Sequence, residues 1–165
     1  MGIDPGPTAC GVTLYDFAEE RVIETFGALP VDDTLRYMRG VAAAYPAGTV
    51  GVAIERVQSY GISGASLLRT SEVVGRLWQC AIDVDAALYV TLVYRRDVLR
   101  VLDVTGKGNR DSLVRQRVIE MHGGDRATAV GRKASPGPLY GVSKHGWSAL
   151  AVALSSHSLQ QKETP

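Results

Sequence analysis

At 165 residues, 45% of them hydrophobic and 21% charged, the chain is long enough for one compact domain with a core of its own. No apolar run approaches the roughly 18 residues of a membrane span, and Asp4 and Pro5 arrive before a signal-peptide core could form. The net charge of +1 hides a division: residues 95–144 carry eleven Lys/Arg against five Asp/Glu, and the remainder seven against twelve. That asymmetry fits either a polyanion-binding face beside an acidic, cation-holding centre or two solvated surfaces of opposite sign. Cys10 and Cys80 have no metal-ligand spacing and read as reduced structural cysteines of a cytosolic protein.

In chain order, residues 1–4 read as the end of a short strand, broken by Gly6 and Pro7. Residues 10–16 (CGVTLYD) alternate as a strand does, and 21–28 (RVIETFGA) read as its hairpin partner, turning around Phe17 to Glu20. Leu35 to Tyr45 has helical spacing, with Asp32 or Asp33 available as N-cap and Pro46 and Gly48 as terminators. Val50 to Ile54 is a buried-type strand closing on Glu55. A long helix is expected over 64–82, capped by Ser63, and another strand over 88–94. That helix carries Leu67, Leu68, Val73, Val74, Leu77 and Trp78, of which one stripe must cover the sheet, and Gly64, Gly75 and Trp78 could form part of a second. Helices over 96–102 and 110–122 are split by Thr105 to Gly108. A Gly-, Pro- and base-rich loop over 124–141 leads to a last helix from about Val142 to Ser156. A hairpin first and strands alternating with helices afterwards predict an α/β domain over 1–158. Its mixed five-stranded sheet has helices on both faces, and residues 159–165 form a polar tail.

Two acids stand out. Asp4 ends the first strand beside a tight Pro5-Gly6 turn, and Glu55 ends the later apolar strand. A carboxylate closing a buried strand needs a partner, because an unpaired buried charge is costly. If the two strands are parallel neighbours, the acids meet at one sheet edge, repel, and favour a hard divalent cation between them, Mg²⁺ first. Either acid alone could instead be a cap or loop residue. His145 and Ser148, three apart near the start of the last helix, share a face. A histidine there is also an ordinary surface or capping residue.

The ordered set GIDPG, GVTLYD, AIERVQSYG and PGPLYGVSKHGWSALAVAL resembles the RuvC-like Holliday junction resolvases over nearly the whole chain, and the branch common in bacteriophages above all. The segment VYRRDVLRVLDVTGKGNRDSLVRQRVIEMHGG is similar to that family's stretch between its last strand and its loop. The resemblance implies an RNase H-like fold and phosphodiester hydrolysis at four-way DNA junctions by a homodimer, with no nucleotide cofactor and no membrane. It implies two Mg²⁺ or Mn²⁺ ions about 4 Å apart. Asp4 matches the first catalytic acid, bridging the ions, and Glu55 the acid on the later strand. His145 and Ser148 stand where the family's last helix supplies acids. Some members use His at the first position, which suits Mn²⁺ better than Mg²⁺; Ser148 is a departure and a weak ligand at most. Tyr60, in SYGISG, resembles a loop that probes the junction centre, where an aromatic can stack on a base. Lys107, Arg110, Arg115, Arg132, Lys133 and Lys144 are the candidate phosphate contacts. The helix over 64–82 matches one that contributes to the family's dimer interface.

Other readings stay open on the residues alone. Ser148 is consistent with a junction-binding protein that cuts weakly or not at all. DPGPTACGVTLYD resembles a strand–turn–strand phosphate loop of actin-like or sugar-kinase ATPases, which need two such domains. An RNA-processing nuclease on the same fold is a further alternative.

Overall fold

The computed structural model describes residues 1–58, 61, 64–84, 88–106 and 108–163. Five strands make the main sheet: β1 (Gly2–Pro5), β2 (Ala9–Asp16), β3 (Arg21–Pro30), β4 (Val50–Arg56) and β5 (Leu88–Tyr94). Their order is β3-β2-β1-β4-β5. β1 pairs antiparallel with β2 and parallel with β4, in the register Gly2↔Ala53 and Ile3↔Ile54. β2 and β3 are the expected hairpin, and β5 runs parallel to β4.

One face of the sheet is covered by α1 (Val31–Ala44) and α2 (Ala65–Asp83). Ile3, Val12, Val52 and Ile54 meet Met38 and Leu77 there. On the other face lies α6 (Gly146–Glu163), flanked by α3 (Arg95–Val101) and α4 (Arg110–Met121). Leu150, Ala151 and Val152 of α6 are fully buried. This is the α/β, mixed five-stranded architecture expected from the order of elements, with helices on both faces.

Four boundaries differ from the sequence expectation. α1 begins at Val31, not Leu35, and its N-cap is Pro30 with no side-chain cap; Asp32 and Asp33 lie inside the first turn. The Val31 amide donates to Thr8 O, so the helix starts as soon as β3 ends. The two acids there still favour the helix through its dipole. α2 is N-capped by Gly64; Ser63, the expected cap, lies outside the described residues. Of the apolar residues of α2, Val73, Val74 and Leu77 are buried, whereas Leu68 is 60% exposed. The stretch 124–141 is not one loop. Asp125 caps a short helix, α5 (Arg126–Ala129), through the Ala127 and Thr128 amides, and β6 (Gly131–Arg132) pairs with β7 (Ser135–Pro136).

The fourth difference concerns the last helix, which starts at Gly146 rather than Val142 and continues to Glu163 rather than ending at Ser156. Lys144 sits in the left-handed region at φ 45°, which a right-handed helix cannot contain. Its start is pinned to the sheet by close contacts. A Cβ on Gly2 would stand 1.9 Å from Ala149 O, and one on Gly11 would stand 2.3 Å from His145 O. Buried Thr13 adds a tie, its Oγ1 donating to Gly146 O at 3.0 Å.

These contacts leave no room for a methyl group. Gly11→Ala should destabilise the chain by about 1–3 kcal/mol, the usual cost of overpacking. Gly40→Ala, in α1 with nothing within 4 Å of a Cβ, should instead stabilise it by about 1 kcal/mol, the helix-propensity difference. Thermal melts of both variants against the parent chain measure this.

Candidate active site at the closing ends of β1 and β4

The parallel register places the two candidate acids side by side. Asp4 follows Ile3 and Glu55 follows Ile54, and those isoleucines are register partners. Strand alternation sends Asp4 to the same face as Gly2, and Glu55 to the same face as Ala53. Gly2 packs on α6, and Ala53 belongs to the core on that side. The start of α6 is pinned to that face, so His145 comes to rest beside Asp4, with Nδ1 at 3.2 Å from Asp4 Oδ2. With the proton on Nδ1, His145 donates to Asp4 and keeps the Nε2 lone pair free. The imidazole is 69% exposed, whereas the Asp4 side chain is only 20% exposed. Behind Asp4, Gly6 allows the tight turn: a Cβ there would stand 2.6 Å from Ala9 O.

Asp4, Glu55 and Arg95 line a cavity of about 270 Å³ together with Arg56, Gln58 and Thr70. Arg95 opens α3. Its Nη1 lies 3.8 Å from Glu55 Oε2, and its Nη2 pairs tightly with Asp111 in the first turn of α4. Burial pushes the Glu55 carboxyl up to about 7; the Arg95 guanidinium pulls the other way, and Asp4 and Asp111 add to the rise. Burial also raises Asp4, against the opposing pull of His145 and Arg95. In both cases loss of water outweighs the nearby cation, so the pair is short of positive charge.

The other sequence candidates fall in different places. Ser148 is half-buried in the first turn of α6 and does not line the cavity. Arg110, Arg132, Lys133 and Lys144 are exposed. Arg115 is half-buried, with its guanidinium 5.0 Å from the Trp147 ring centroid, so its charge serves packing as much as any phosphate. Tyr60 and Lys107 lie outside the described residues. Arg95 and Asp111 were not singled out by the sequence; Arg95 directly after the β5 apolar run, at the same sheet edge as Glu55, was the available signal. A larger cavity of about 500 Å³ lies at the opposite ends of these strands, lined by Met1, Val50, Tyr89 and His157. Its carboxylate, Asp16, already accepts from the Ala18 and Glu19 amides, whereas the Asp4–Glu55 end holds two acids on neighbouring strands.

The structure of T. thermophilus RuvC in complex with a Holliday junction substrate matches with a TM-score of 0.65 at 19% identity, covering 99% of this chain and 94% of that one. The chain has the RNase H-like fold of RuvC. A second Thermus thermophilus RuvC structure matches with a TM-score of 0.60 at 19% identity, covering 99% of this chain and 95% of that one. No family model and no curated protein matches the sequence. The RuvC fold accounts for the sheet order and for the helices on both of its faces.

Glu55 titrates from 4.5 unfolded to about 7 folded. The stability that its neutral form contributes is therefore fully present below about pH 4.5 and lost as the pH rises through about 7. Without divalent cations, Glu55→Gln should be more stable than the parent at pH 8, by on the order of 2 kcal/mol, and equal to it near pH 4. Melts across that range test the sign.

Proposed function

We propose that this chain is a divalent-cation-dependent endonuclease that cuts branched DNA, four-way junctions above all, as a homodimer. One observation carries this reading: two desolvated carboxylates, Asp4 and Glu55, stand together at the closing ends of adjacent parallel strands, with His145 at 3.2 Å from the first. Branched DNA enters through T. thermophilus RuvC, which has this fold and was solved with a Holliday junction substrate.

The donor set fits a hard cation. Among the described residues no three His, Cys, Asp or Glu already form a metal-holding group. Mg²⁺, however, is commonly held by one or two carboxylates, with water and substrate phosphate completing its shell. Asp4 and Glu55 would be those carboxylates, and His145 Nε2 a nitrogen donor that leans the preference towards Mn²⁺. Two bound ions, the number that the resemblance implies, would supply charge neutralisation at the scissile phosphate and an activated water.

The chain's own residues do the rest. The contact between His145 Nδ1 and Asp4 orients the imidazole, as a carboxylate does for a metal-binding histidine. Arg110, Arg132, Lys133 and Lys144 attract the phosphate backbone, a salt-dependent contribution without sequence preference. Tyr60 remains the residue proposed to stack on a base at the junction centre. The bacteriophage branch of the family, and a bacterial or phage-infected cytoplasm, are the origin and setting that go with this reading.

A gel assay decides it. Incubate a synthetic four-way junction and its linear duplex with the parent chain, Asp4→Asn and Glu55→Gln, in Mg²⁺, Mn²⁺ and EDTA. Paired nicks confined to the junction, lost in both variants and in EDTA while binding persists, are expected. Junction binding by the parent without cleavage in either metal would instead favour a junction-binding protein, the reading that Ser148 supports.

The homodimer has its own support. Leu68 is 60% exposed, Ile82 51% exposed, and Gly75 has nothing within 4 Å of a Cβ. Seven-residue spacing puts all three on one outer stripe of α2. Leu68→Arg should shift the parent dimer to monomer in sedimentation while leaving its melting temperature nearly unchanged; a parent chain that sediments as a monomer overturns this assignment.

A further inference from the structure

We infer that Arg95, held between Glu55 and Asp111, is a positioning residue that competes with the divalent cation for Glu55, so that the Arg95–Asp111 pair sets the cation affinity of the site. The inference rests on the cation-dependent reading above. Arg95 follows β5 directly, and β5 pairs with β4 in the register Glu55↔Val93 and Arg56↔Tyr94. Its guanidinium therefore projects from the first residue of α3, just past the end of the strand next to that of Glu55. The side chain is 24% exposed and lines the cavity that holds both acids. Arg56, the other guanidinium on that cavity, is placed differently, 5.2 Å from the Tyr94 ring centroid.

The two contacts of Arg95 are unequal. The pair with Asp111 is tight, and the approach to Glu55 is looser at 3.8 Å. Asp111 is itself fixed in place. Asn109 caps α4, its Oδ1 accepting from the Asp111 and Ser112 amides. A guanidinium at 3.8 Å is near enough to offset part of the Glu55 charge but too far for a direct hydrogen bond. It stands against Glu55 as a resident monovalent counter-charge, while Asp111 draws it away. Entry of a divalent ion at Glu55 meets repulsion from Arg95, reduced by whatever share of the guanidinium Asp111 retains.

The two partners therefore have opposite effects. Removing the guanidinium should tighten cation binding. Removing Asp111 should weaken it, because Arg95 is then free to lean on Glu55. A residue that served only to pack α3 against α4 would change the melting temperature and leave cation affinity alone.

The test measures Mn²⁺ binding to the full chain by calorimetry at low ionic strength, without DNA. Melts of each variant are recorded alongside. The variants are Arg95→Gln, Arg95→Lys, Asp111→Asn, the Arg95→Gln/Asp111→Asn double variant, and Asp4→Asn. Arg95→Gln should bind Mn²⁺ about fivefold more tightly than the parent, and Asp111→Asn about twofold more weakly, magnitudes ordinary for partly exposed charges. Arg95→Lys should stay near the parent, and the Asp111 effect should shrink in the double variant. Folded Arg95→Gln with unchanged or weaker binding overturns the role of Arg95, as does Asp111→Asn that binds as the parent does. If Mn²⁺ binding by the parent survives in Asp4→Asn, or the parent binds none, the cation-dependent reading falls and this inference with it.

Discussion

The site depends on how closely α6 approaches the sheet. Side chains normally hold a helix off the sheet on which it packs, because they fill the space between the two backbones. Here Gly2 and Gly11 remove them, and Ala149 O and His145 O occupy the space where a Cβ would be. Thr13 then ties Gly146 O to the sheet. Held that low, the start of the helix can present His145 to Asp4 across a sequence separation of 141 residues. A side chain on either glycine would lift the helix and separate the histidine from the acid.

The same packing explains the electrostatics. Asp4 and Glu55 extend two strands that are otherwise core, and the helices on both faces take water away from them. Burial raises both carboxyls despite His145 beside one and Arg95 beside the other. A stable protein has little reason to keep such a pair unless something compensates it on binding. A cation with a phosphate would do so; among the exposed bases, Arg110 is next to Asp111, which pairs with Arg95, and Lys144 is next to His145. Arg95 and Asp111 stand beside the acids, as a charge pair whose guanidinium approaches Glu55 at 3.8 Å without completing its shell.

The elements were largely legible in the sequence. The β2–β3 hairpin, the apolar β4 and β5 runs and the split between α3 and α4 fall where alternation, helical spacing and Gly/Pro breaks put them. The errors gathered at helix starts. α1 starts through a backbone contact between Val31 and Thr8 that no local signal announces, and α6 starts late because Lys144 adopts a left-handed conformation. The stretch 124–141 looked like loop because its elements are only two to four residues long, too short for any periodicity to register.

Sequence alone determined which acids close the buried strands, because a carboxylate after an apolar run stands out wherever the chain goes. It also determined that His145 opens the last helix within one turn. Only the tertiary structure decided that β1 and β4 are parallel neighbours in the register that aligns Asp4 with Glu55, since strand pairing is a non-local choice. It alone decided that Arg95 and Asp111 meet at that edge, because the contact joins the first turns of two separate helices. And it alone showed the Arg115 charge stacked over Trp147, where the sequence offered another free cation.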